Sequence, residues 1–295
     1  STSSDTTSEA VQKEMIQEKQ DAVLGELRVK ESRQGERDEI TSSEIKQTDI
    51  FIENRYTTIN GFSGLVTASG LEELRNDPLV KSIAYDYPVM PVLSDSIPQI
   101  NASHVWNLTA GGKNINGTGI TICVIDTGID YTHPALGGCS NASFLNGSCA
   151  KVLGGYDYGS GDADPMDVNS HGTHVAGITA SENDTYRGVA PGAGLVALKV
   201  FTNTGSGSTS DVISAIDWCK NNRSVYNISV ITMSLAVTSG GSELIFNSSC
   251  DSDDASGLAS AASGAAAAGI FVDASAGNAG SSSGITSPGG GVNVT

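Results

Sequence analysis

From residue 118 onward the chain alternates short, wholly apolar runs with longer stretches of helical pattern, and few folds accept that alternation. Strand-like runs fall at 119–125, 194–201, 228–235 and 269–275, and helical stretches at 171–181, 209–221 and 253–268. Strands apolar on both faces, each followed by a helix, predict an α/β fold: a parallel sheet with helices on both faces. The 253–268 stretch is almost all Ala, Ser and Gly. Side chains that small let a helix lie close to its neighbours, which favours a buried helix over a linker.

The composition breaks near residue 97. Residues 1–97 hold 28 of the 49 charged side chains but only 5 of the 35 glycines. Val11, Met15, Ile16, Val23, Leu24 and Leu27 approximate one apolar face, which predicts a helix over 8–29. A charged loop without periodicity follows. Strands are predicted at 48–60 and 62–67 around an Asn60-Gly61 turn, then a helix capped by Ser69 and ended by Pro78, then a strand over 80–89. The order is that of a small α+β, ferredoxin-like module without its first strand. Pro88, Pro91 and Pro98 bias the tail after it towards extended structure. Three units are expected: 1–44, an N-terminal helix and charged loop; 45–97, a compact module and its tail; and 98–295, the sheet domain.

A net charge of −17 argues against nucleic acid and anionic membranes as partners, since both demand clustered Lys or Arg. No apolar run approaches the ~18 residues of a membrane span. Ten N-x-S/T tripeptides, all after residue 100, suggest a secreted or cell-surface glycoprotein: Asn101, Asn107, Asn116, Asn141, Asn146, Asn183, Asn222, Asn227, Asn247 and Asn293. Cysteine usage fits an oxidising compartment. Cys139 and Cys149 bracket a polar insertion with no hydrophobic means of holding its shape, so a disulfide is expected there. Cys219 and Cys250 make the second expected pair, although sequence does not fix connectivity. Cys123, inside ITICVID, is left as a buried inert thiol.

Three motifs carry chemistry. Asp126 in VIDTG ends the first apolar run, at the sheet edge where parallel α/β folds gather ligands. An acid there can orient an imidazole and stabilise its positive form. His171 in SHGTHVAG opens a helix, able to offer one ring nitrogen to an acid and the other to a hydroxyl. Asn278 in ASAGN follows a later strand, and its uncharged amide can donate to a developing oxyanion. HGTH lacks the HExxH spacing and acid of a zinc helix, so no metal is expected in the chemistry. His174 is expected to pack within its helix and His133 to cap a turn.

With GVAPGAGLVALKVF and ITMSLA between them, VIDTGID, HGTHVAG and ASAGN stand in an order that resembles the subtilisin-like serine proteases, the subtilases. The resemblance runs from about Ile97 to the last residue. It implies that Asp126 orients His171, that His171 acts as general base, and that Asn278 serves the oxyanion. It also implies that Ser234, Leu235 and Ala236 pair with an extended peptide or protein substrate, and that Ser275 and Gly277 line the first specificity pocket. Residues 45–93 resemble the inhibitory propeptide of such proteases. Its tail, from about Pro88 to Ser96, would cross the cleft beside Ser234–Ala236 and within a few ångströms of His171. The nucleophilic Ser of a GTSMA-like helix start does not occur by Thr295. Residues 1–295 are therefore expected to be inactive alone, with the Ser lying beyond them. The implied protein is the precursor of a secreted serine endopeptidase, with its propeptide as intramolecular inhibitor and no cofactor in the chemistry. A pseudoprotease that kept the cleft, or an inhibitor or binding protein, are the alternatives.

Three positions depart from the family pattern. Ala236 and Ser170 stand where Gly is usual, and Ala135 stands where many members carry a calcium-binding Asp. Asp162, Asp164 and Asp167 in GDADPMD leave room for a structural calcium, against the simpler reading of a solvated acidic loop.

Overall fold

The computed structural model describes residues 15–25, 29–31, 49–57, 59–86, 88–91, 100, 102–281 and 284–295. The front of the chain forms a helix α1 (15–24), strands β1 (Val29–Glu31), β2 (Ile50–Arg55) and β3 (Phe62–Val66), and a helix α2 (Ala68–Asn76). β2 lies between β1, to which it runs parallel, and β3, to which it runs antiparallel. Leu24, Ile50, Ile52 and Leu74 make its small core. β1 falls where a charged loop was expected. The cap of α2 is Thr67 rather than Ser69, since the Thr67 hydroxyl accepts from Gly70 N at 3.2 Å. The strand expected over 80–89 does not form as such. Residues 81–86 are exposed and carry no strand, and pairing begins only at β4 (Pro88–Pro91).

The sheet domain is built on β5 (Thr121–Asp126), β6 (Val152–Asp157), helix α3 (His171–Ala180), β7 (Gly194–Lys199), β8 (Gly207–Ser208), helix α4 (Thr209–Asn221), β9 (Ile228–Met233), β10 (Leu235–Ser239), β11 (Ser242–Glu243), helix α5 (Leu258–Ala267) and β12 (Phe271–Ala274). The main sheet runs β12-β9-β5-β7-β6, parallel throughout. Alternation along β5 shows why the strands had to be apolar on both sides. Ile122 and Val124 join a core with Val175 and Ala176 of α3, whereas Cys123 and Ile125 join one with Ile213 and Ile216 of α4 and Ala261 and Ala262 of α5. α5 starts at Leu258, five residues later than expected, because Asp254 accepts from Ser256 N at 3.0 Å and Gly257 takes a left-handed φ of 80° before the first turn. β6 was not foreseen. Its glycines allow close approach: a Cβ at Gly155 would sit 2.0 Å from the Ala197 carbonyl oxygen.

The front module sits on α4 and α5. Tyr56, 4% exposed, enters the α4–α5 core, and Ile59 packs against it. Thr57 N donates to Asp217 at 2.5 Å, and Asp86 accepts from Ser210 N at 2.9 Å and from the Thr209 hydroxyl at 2.5 Å at the start of α4. β4 belongs to neither domain's main sheet. It lies between β8 and β10, antiparallel to both, with Val89 opposite Val237, Met90 opposite Ala236 and Pro91 opposite Leu235.

The structure bonds Cys139 to Cys149 and Cys123 to Cys219. Cys219 therefore does not pair with Cys250, and Cys123 is not a thiol. The reason is helix phase. Cys219 faces inward from α4 onto the sheet face that Cys123 also points to, and their Cα atoms are 6.4 Å apart, within bridging range. Cys250 is buried at the head of a separate short helix, Cys250–Asp253.

Candidate active site

Asp126 ends β5 and is fully buried, and its Oδ1 lies 2.7 Å from His171 Nδ1 at the first position of α3. Thr127 N also donates to Oδ1, at 2.6 Å. An ionised carboxylate can only accept, so Nδ1 carries the imidazole proton and Nε2 is the basic nitrogen. Nε2 is buried and has no hydrogen-bond partner among the described residues. Burial pushes the Asp126 carboxyl above its ordinary pKa, and the His171 hydrogen bond and charge pull the other way.

The close approach of helix and strand depends on Gly172. A Cβ there would lie 2.1 Å from the Gly128 carbonyl oxygen and 3.0 Å from Asp126 Oδ1. The N-terminus of α3 is satisfied from outside the helix. Ser170, the N-cap, has a left-handed φ of 81° and makes no side-chain cap bond. Asp167 takes its place, its Oδ2 accepting from Thr173 N at 2.8 Å and the Thr173 hydroxyl at 2.5 Å, its Oδ1 from Ser170 N at 3.0 Å and the Thr127 hydroxyl at 3.0 Å. Thr127 Oγ1 in turn accepts from Gly172 N at 2.8 Å. Asp167 and Thr127 thus fix where the His171 ring begins its turn, a role the sequence reading missed. An acid four residues before the His was its only sequence signal.

Asn278 follows β12, on the same carboxyl-end edge of the parallel sheet as Asp126, and its side chain is exposed. Glu243 of β11 holds this loop. Its Oε2 accepts from Asn278 N at 2.8 Å and Ala279 N at 3.0 Å, and would lie 2.5 Å from a Cβ at Gly277, whose φ is 91°. Ser275 N donates to Met233 O at 3.0 Å and its hydroxyl to Leu235 O at 2.7 Å, tying the loop to the end of β9 and the start of β10. Leu235 and Ala236 are buried in β10 and Ser234 precedes it. The tail meets Leu235 and Ala236 through β4; its expected passage beside His171 falls on 92–96, outside the described residues. His174 is exposed on α3 rather than packed within it, and His133 Nδ1 accepts from Ala135 N at 3.1 Å.

The three acids of the loop meet different partners, Asp162 accepting from Asp164 N at 2.8 Å. The Asp167 carboxylate is spent on α3, and Asp164 accepts from the Tyr131 hydroxyl at 2.7 Å and Asn141 Nδ2 at 2.7 Å. Among the described residues no three His, Cys, Asp or Glu converge as a metal site. Tyr131 carries a measurable consequence. Burial first, then the bond to Asp164, push its pKa from 10.0 up to about 12. A folded value above the unfolded one means this stabilisation is complete below about pH 10 and lost as pH rises towards 12. Urea midpoints measured across that window should fall, and those of Tyr131→Phe should fall less. Equal slopes would remove Tyr131 from the alkaline transition. Burial also raises the Tyr56 and Tyr158 phenols, so some slope remains in the variant.

Residues 117–294 match the model of the subtilase family. The chain belongs to the subtilase family. It is 33% identical over 251 residues to the serine protease AprX of Bacillus subtilis (81% of this chain, 50% of the relative). It is 35% identical over 214 residues to alkaline serine exoprotease A of Vibrio alginolyticus (68% and 36%), and 31% identical over 234 residues to subtilisin E of Bacillus subtilis (78% and 52%). This subtilase chain therefore spans between about a third and a half of the length of these three relatives. Among the described residues no helix is long and apolar enough to cross a membrane.

Proposed function

We propose that the whole protein is a secreted serine endopeptidase made as a precursor. Asp126 holds and charges-compensates His171, Nε2 takes the proton of a serine hydroxyl supplied from beyond residue 295, and the Asn278 amide stabilises the oxyanion. The Asp126–His171 contact at 2.7 Å, with Nε2 left to act as base, carries this reading. Ser234, Leu235 and Ala236 present backbone to an extended peptide, with Ser275 and Gly277 lining the adjoining pocket. Residues 45–97 act as the inhibitor, since β4 already fills the strand position between β8 and β10.

The test is made on the protein with its downstream segment. A fluorophosphonate should label one Ser stoichiometrically, and labelling should follow cleavage of the chain after β4. A cleaved protein that takes up no label and leaves casein intact would sink the protease reading. Full labelling of the uncleaved chain would sink the inhibitor reading alone.

A further inference from the structure

The catalytic reading uses none of the ten N-x-S/T tripeptides, and three of them, all exposed, differ in what each side-chain amide already does. Glycosylation joins Nδ2 to C1 of a sugar held on a lipid-linked oligosaccharide. The C1–O bond to the carrier breaks, polyprenyl pyrophosphate leaves, and Nδ2 gives up one of its two protons. A modifiable Asn therefore needs an Nδ2 that points outward with a hydrogen to lose.

Asn146 and Asn183 meet that requirement. Asn146 is exposed, and only its Oδ1 is used, accepting from Ser148 N of its own tripeptide at 3.1 Å. Asn183 is exposed, with Oδ1 accepting from Thr185 N at 2.9 Å and Tyr186 N at 2.8 Å. These Asx turns hold the amide by its oxygen, and neither Nδ2 donates to a described residue. Asn183 also opens onto a groove of about 680 Å³ beside Tyr186, which is 81% exposed. Asn141 is exposed as well, so exposure does not separate it from Asn146 on the same disulfide-closed loop. Bonding does. Its Nδ2 donates twice, to the Tyr131 hydroxyl and to Asp164 Oδ2, each at 2.7 Å. A sugar on that nitrogen removes one donor and leaves a part-buried acceptor unmet.

We propose that Asn146 and Asn183 are N-glycan acceptors of this fold and that Asn141 is a structural amide that stays unmodified in the folded protein. The inference rests on the secretory reading above, but its test does not depend on native export. The whole protein is secreted from a eukaryotic host behind a heterologous signal sequence, released with peptide-N-glycosidase in heavy-oxygen water, and mapped by mass spectrometry. Asn146 and Asn183 should carry the label in most molecules and Asn141 only a trace. Label missing from either acceptor, or as heavy at Asn141 as at Asn146, overturns the proposal. Asn141→Gln should lower the melting temperature, whereas Asn146→Gln and Asn183→Gln should each remove one glycan's mass. An unshifted melting temperature in Asn141→Gln counts equally against the sorting.

Discussion

Changing Asp126 to Asn in the whole protein should lower kcat by about 10⁴-fold while leaving KM near its original value. The magnitude is that of the same Asp-to-Asn exchange in a chymotrypsin-type triad, close to the roughly 3 × 10⁴-fold cost of removing the triad acid in subtilisin. The direction follows from the geometry. An amide at position 126 can offer its NH₂ to Nδ1, which moves the imidazole proton to Nε2 and leaves no base facing the substrate. The cost to the fold should stay local: Thr127 N, which donates to the same Oδ1 that meets Nδ1, loses its acceptor, while Gly172 still fits against Gly128. A loss of less than tenfold, with an unchanged melting curve, would take Asp126 out of the reaction.

Lys199→Met should destabilise the protein by about 3–5 kcal/mol, the cost of leaving a buried charge unpaired. Lys199 Nζ lies 2.8 Å from Asp157 Oδ2, with the two side chains 4% and 2% exposed, and also donates to Asn203 at 2.8 Å. Strand register puts Lys199 between Asp126 and Asp157 on the carboxyl-end edge. The loss would therefore be felt next to Asp126. Denaturant midpoints are the measurement, and Lys199→Met combined with Asp157→Leu should recover most of the loss. A single variant within 1 kcal/mol of the parent would show that water reaches the pair.

The parallel sheet could be read from the sequence because its central strands are apolar on both faces, and β5, β7 and β9 carry that pattern, while the edge strand β12 was marked by its short apolar run alone. β6 escaped because Gly154 and Gly155 dilute it, although one of them is what lets the edge strand approach β7. Asp126 and His171 were legible as parts of long motifs with rigid spacing. Asp167 and Glu243 were not. A single acid that caps a helix or props a loop looks, in sequence, like any solvated carboxylate. The Cys123–Cys219 bond depends on which way α4 is turned, and pairing by proximity in sequence does not encode that. β4 was foreseen as extended and beside β10, but its second partner β8 came only with the fold.

Being held on two sides gives β4 an unusual kinetic position. A strand on one sheet edge can peel away residue by residue, but the two ladders of β4 meet at Val89, which pairs with both Gly207 and Val237, while Pro88 pairs only with β8 and Met90 and Pro91 only with β10. The segment just before it is also pinned, by Asp86 on the first turn of α4. Met90 and Pro91 can therefore fray from β10 alone, and the barrier to full departure of β4 lies at Val89 and the Asp86 anchor. Whatever governs that barrier, rather than the affinity of the empty groove, sets how long this end of the sheet stays closed.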